Sequence, residues 1–78
     1  MSDAEQHRHR AKILVADDDL TVRLLTRQCL EAEGMVVVEA VDGPDAIDVF
    51  ERERPDLVFL DVEMPGMTGL EVCRRIRE

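Results

Sequence analysis

Three short apolar runs alternate along the chain with three segments of helical rhythm. The first run, Ile13-Leu14-Val15-Ala16, contains no polar residue and stops at Asp17-Asp18-Asp19. Such a run predicts a strand covered on both faces, as in a parallel sheet. The acids after it suit a helix entrance, where free N–H groups favour negative charge. Over residues 20–33 the period changes. Val22, Leu25, Cys29 and Ala32 step by three, four and three, which stacks them on one buried face of a helix and leaves Arg23, Arg27, Glu31 and Glu33 off it. Gly34 falls where a left-handed C-cap belongs, and the β-branched run Met35-Val36-Val37-Val38-Glu39-Ala40 predicts a second strand.

Asp42-Gly43-Pro44 reads as a turn, with Pro44 at the first helical position, where a missing N–H costs nothing. Ala46, Ile47 and Phe50 give the second helix its buried face, and Pro55 stops it. Leu57-Val58-Phe59-Leu60 predicts a third buried strand ending at Asp61. The loop Glu63-Met64-Pro65-Gly66-Met67-Thr68-Gly69, with Pro65 and Gly66 as turn formers, leads to a third helix that begins near Leu70 and carries Leu70, Cys73 and Ile76 as its apolar stripe. The order βαβαβα predicts an α/β fold with right-handed crossovers and a parallel sheet. Residues 1–12 lack apolar periodicity and read as a flexible polar tail, His7 and His9 included; residues 13–78 read as the domain.

Composition narrows the function. The 78 residues allow one small domain, and 45 % hydrophobic residues make it a folded one despite a net charge of −8. That charge is the wrong sign for a nucleic-acid backbone, and Phe50 and Phe59 alone make no stacking platform, so direct nucleic-acid binding is excluded. No window approaches a membrane span, and the polar N-terminus lacks the apolar region of a secretory signal; the expected location is cytoplasmic. Cys29 and Cys73 form no C-x-x-C pair and are expected as free, buried thiols.

Ligands of open parallel sheets bind beyond the carboxyl ends of the strands. Asp17 and Asp18 follow the first strand and Asp61 the third, so the three carboxylates converge if those strands are neighbours. Like charges so close either leave one carboxyl protonated or share a cation, and hard oxygen donors favour Mg²⁺, Mn²⁺ or Ca²⁺. A carboxylate beside such an ion can act as a nucleophile in phosphoryl chemistry. Asp61, alone before a tight Pro-Gly loop, suits that role, and the Asp17-Asp18 pair suits metal holding. Taken singly, the same acids also serve as helix caps and turn residues, and the pattern alone leaves both readings open.

Ile13-Leu14-Val15-Ala16-Asp17-Asp18-Asp19, then Val41-Asp42-Gly43, then the run from Pro55 through Leu60-Asp61-Val62-Glu63-Met64-Pro65-Gly66-Met67-Thr68-Gly69 closely resemble the response-regulator receiver domain of two-component signalling. The match covers nearly all of residues 13–78. The resemblance implies a flavodoxin-like fold in which Asp61 accepts a phosphoryl group from a phosphohistidine on a sensor histidine kinase or phosphotransfer protein. It further implies that Asp17 and Asp18 hold Mg²⁺ with Asp61, that the Glu63 backbone carbonyl is a further ligand, and that Met64, Pro65 and Gly69 shape the loop.

Receivers have five strands in the order 2-1-3-4-5, and this sequence supplies the first three, expected as a truncated sheet of order 2-1-3. The Ser or Thr of the fourth strand and the Lys of the fifth have no counterpart: Lys12 precedes the first strand and Thr68 lies after Asp61. The expectation is therefore the N-terminal part of a receiver, completed by a C-terminal half or effector domain, or a chain that self-associates through the open edge of its third strand. Two other functions compete. One is an interaction or assembly module that uses the fold without phosphorylation. The other is a haloacid-dehalogenase-type phosphatase, which Asp61-Val62-Glu63 loosely resembles, although that family usually carries Asp two residues on.

Overall fold

A computed structural model describes residues 10–64 and 66–77; the first nine residues of the tail expected over residues 1–12 and the turn residue Pro65 lie outside it. The elements are β1 (Lys12–Ala16), α1 (Leu20–Ala32), β2 (Val36–Ala40), α2 (Gly43–Glu53), β3 (Leu57–Leu60) and α3 (Gly69–Arg77). The sheet is parallel with order β2-β1-β3. This is the predicted α/β arrangement. β1 takes in Lys12, whose backbone N–H donates to Asp56 Oδ2 at 2.8 Å and whose Nζ lies 3.2 Å from Glu53 Oε1.

The central strand is buried as its unbroken apolar run requires. Ile13, Leu14, Val15 and Ala16 are all at most 3 % exposed. Leu14 and Ala16 face α2 and α3, in a core with Ala40, Ala46, Val49, Met64 and Val72. Ile13 and Val15 face the other way, with Val37 and the flanking Ala11, Leu30 and Met35. The predicted punctuation also holds. Asp19 Oδ1 caps α1 by accepting from the N–H groups of Thr21 and Val22, Gly34 is left-handed at φ 86°, and Pro44 sits in the first turn of α2.

Four expectations need correction. The face Val22, Leu25, Cys29, Ala32 of α1 is exposed, with Leu25 at 58 %. The sheet instead meets the neighbouring row of Arg23, Thr26, Arg27 and Leu30, rotated by about 100°. On that side Leu30 packs with Ile13, Val15 and Val37, and Arg23 and Arg27 bind Glu39 of β2. On α3, Leu70 is 64 % exposed and Val72 is fully buried, with Ile76 packed partly against the core, because the Gly69 backbone lies against Asp61 and turns that side of the helix inward. β3 is covered on one face only, with Leu57 and Phe59 exposed at the sheet edge. Cys29 is exposed and Cys73 half-buried; both are free, as expected, but neither is a core thiol.

Candidate functional site

The parallel register builds the site. Ala16 of β1 pairs with Leu60 of β3, so Asp17 and Asp61 leave the sheet at the same level on adjacent strands. Asp61 N donates to Ala16 O at 2.9 Å and Asp17 N to Ala40 O at 3.2 Å, which carries the ladder one residue past each strand end. Neighbouring strands lie about 4.8 Å apart, and carboxylate oxygens of Asp17, Asp18 and Asp61 all lie within 4.8 Å of one another. Asp17 and Asp61 are half-buried and Asp18 is exposed. Asp17 Oδ1 accepts from Asp19 N at 2.9 Å, and Asp61 Oδ1 accepts a longer bond from Glu63 N at 3.3 Å. The three predicted acids therefore come together, and Glu63 meets Asp61 through its backbone N–H.

The loop after Asp61 is braced from two sides. Met67 lies against Gly43 at the start of α2, so closely that a β-carbon at position 43 would overlap Met67 Cβ. Gly69 packs on Asp61 itself: a β-carbon there would overlap the Asp61 carbonyl oxygen, and Gly69 N donates to Val62 O at 2.8 Å. Thr68 and Glu71 form a reciprocal cap at the head of α3, Glu71 N donating to Thr68 Oγ1 and Thr68 N to Glu71 Oε1. The T-x-x-E spacing of Thr68 and Glu71 is the sequence signal for this cap.

The largest omission is on α1. Arg23 is 9 % exposed, a buried charge where surface charge was expected. Its Nε donates to Glu39 Oε1 at 2.7 Å and its Nη1 to the backbone carbonyl of Asp17 at 2.8 Å. Arg27 donates to the other oxygen of Glu39 and, at 3.1 Å, to Glu31. The available signal was Glu39: a single charge inside the apolar run of β2 must find partners when the strand is packed.

The Arg27 and Arg23 hydrogen bonds hold the Glu39 carboxyl below the usual glutamate range. A carboxyl depressed by folding contributes stability above its unfolded value and loses it as pH falls through the folded one. Glu39→Gln is thus expected to lower stability at neutral pH, with the gap from wild type closing as pH drops through and below the ordinary glutamate range. Urea unfolding followed by circular dichroism at several pH values measures this; a gap independent of pH would show that the arginines do not depend on the Glu39 charge.

A parallel α/β sheet with an acidic cluster beyond the carboxyl ends of β1 and β3 defines the class of the protein. The family model for the response regulator receiver domain matches residues 13–78. The sporulation initiation phosphotransferase F of Bacillus subtilis is 41 % identical over 66 residues, covering 85 % of this chain and 53 % of its own length. The response regulator MprA of Mycolicibacterium vanbaalenii is 50 % identical over 66 residues, covering 85 % of this chain and 29 % of its own. The solved structure of the response regulator TrrA of Thermotoga maritima, a complex with Mg²⁺-BeF, superposes with a TM-score of 0.83 at 43 % identity, over 86 % of this chain and 58 % of that one. The chain belongs to the response regulator receiver family, a regulatory family of two-component systems, and spans about half the length of the first of these relatives. Among the described residues, no helix is long and apolar enough to cross a membrane.

Proposed function

We propose that this chain is a Mg²⁺-dependent phosphoacceptor and that Asp61 is the acceptor. The observation that carries the reading is the convergence of Asp17, Asp18 and Asp61 within 4.8 Å at the carboxyl edge of the sheet. Three carboxylates offering hard oxygen donors, two of them half-buried, fit Mg²⁺. The 43 % identical TrrA, solved with Mg²⁺-BeF, supports the same assignment. Asp17, Asp18 and Asp61 would hold the ion, with the Glu63 backbone carbonyl as a further donor. When bound, Mg²⁺ neutralises charge on the oxygens of the transferring phosphoryl group.

In this reading a carboxylate oxygen of Asp61 forms a bond to phosphorus while the phosphorus–nitrogen bond of a phosphohistidine breaks. The imidazole leaves with the electron pair and takes up a proton from solvent. Ala16 O and Gly69 keep the Asp61 backbone from retreating as the bond forms. The donor is a sensor histidine kinase or phosphotransfer protein in the cytoplasm, and the readout passes to the rest of a receiver and its effector.

Intact-mass measurement after incubation with Mg²⁺ and acetyl phosphate tests the assignment. The chain is expected to gain one phosphoryl group, and Asp61→Asn or removal of Mg²⁺ by chelator to abolish the gain. An adduct that persists in Asp61→Asn, or no adduct on the wild-type chain, overturns the reading.

A further inference from the structure

We infer that Arg23 is a positioning residue of the acidic site, aiming Asp17 and Asp18 by holding the peptide plane between them. The inference rests on the reading of that site as a Mg²⁺ centre.

The Asp17 carbonyl belongs to the rigid peptide unit that joins the two acids. Rotation of that plane turns the Cα–Cβ bonds of Asp17 and Asp18 relative to the sheet, and with them both carboxylates. Backbone and capping bonds hold this turn: Asp17 N to Ala40 O, Asp19 N to Asp17 Oδ1, and the Asp19 cap on α1. The 2.8 Å bond from Arg23 Nη1 to Asp17 O fixes the plane itself. Repulsion among carboxylates within 4.8 Å pushes the turn outward, and this bond opposes it.

Arg23 can do this because it is itself immobilised. At 9 % exposure it has little water to turn to, and its Nε is committed to Glu39 at 2.7 Å. The planar guanidinium sends one nitrogen to Glu39 and another to the carbonyl in a fixed fork; the single nitrogen of lysine cannot reproduce that fork. Arg27 shares Glu39 and bonds Glu31, with no bond to the acidic turn, and so serves as the internal comparison.

The test is Mg²⁺ affinity of the full chain, read by NMR titration. Arg23→Lys, which keeps the charge beside Glu39, is expected to fold and to bind Mg²⁺ about tenfold more weakly, the usual consequence of losing a support behind a metal ligand. Val49→Ala, in the core on the opposite sheet face, is expected to lower stability and keep wild-type affinity. In the wild-type chain, Mg²⁺ is expected to shift the Arg23 Nε–H resonance and leave that of Arg27 in place. If Arg23→Lys does not fold, Glu39→Gln is used instead, with a smaller loss of the same sense expected. Unchanged affinity in the folded Arg23 or Glu39 variant, an equal loss in Val49→Ala, or an Arg23 resonance indifferent to Mg²⁺ each overturn the inference alone. A wild-type chain that binds no Mg²⁺ overturns the site reading and the inference with it.

Discussion

Gly69→Ala is expected to destabilise the domain by about 3 kcal/mol, the upper end of ordinary overpacking, and to remove most of its Mg²⁺ affinity in the same step. The added methyl overlaps the carbonyl oxygen of Asp61, and that atom belongs to backbone hydrogen-bonded to β1 through the adjoining Asp61 N–H. No flexible side chain is available to give way. Either α3 moves off the sheet, dislodging the buried Val72, or Asp61 moves away from Asp17 and Asp18. Gly34→Ala is the comparison. Its φ of 86° imposes a strain of about 1 kcal/mol on alanine, yet nothing lies within 4 Å of the new methyl and the site is remote, so affinity is expected to stay at the wild-type value. Urea unfolding and a Mg²⁺ titration on both variants separate the two effects; equal losses of affinity would mean that Gly69 contributes only to general stability.

Leu14→Ala is expected to cost about 3 to 4 kcal/mol, the loss of a large side chain plus the cavity left behind. Leu14 is fully buried at the centre of the middle strand, between β2 and β3. A domain of this length holds roughly 4 to 12 kcal/mol in total, so the variant is expected to be largely unfolded under mild denaturant. Leu25→Ala, by contrast, is expected to change stability by less than about 0.5 kcal/mol, as exposed substitutions do, because Leu25 is 58 % exposed. Helical periodicity assigns Leu25 to the core, so the pair of variants also tests the rotation of α1. With no Trp or Tyr in the chain, circular dichroism is the appropriate probe. A Leu25→Ala loss comparable to that of Leu14→Ala would place the periodicity-defined face against the sheet after all.

The contrast between these leucines shows where reading by pattern works. β1 is an unbroken apolar run, and such a run has one stable solution, burial on both faces; all four of its apolar residues are buried. On α1 the periodicity selects the apolar stripe Val22-Leu25-Cys29-Ala32, but the row containing Arg23 and Arg27 meets the sheet. Helix periodicity counts hydrophobic residues and gives no weight to a glutamate on the neighbouring strand. Glu39 favours the other row together with the packing of Leu30, because a charge on a packed strand is costly until it is paired, and the pairs available to it are arginines of α1. The same blindness explains Leu70 and Val72 on α3, where the Gly69 contact with Asp61 sets the rotation of the helix.

The sequence by itself determined the elements, their alternation, the caps at Asp19 and Gly34, and the positions of Asp17, Asp18 and Asp61 at strand ends. These are local matters: the period of apolar residues and the backbone demands of turns are written within a few positions of each residue. The order β2-β1-β3 was implied by the family resemblance and not by local pattern; only the tertiary structure decided which residues of α1 and α3 face the sheet, and that Arg23 stands behind the acidic turn. Each depends on partners far apart in the chain, and the energies that select them, strand pairing, ion pairing in a packed interior and close backbone contact, arise only once those partners meet.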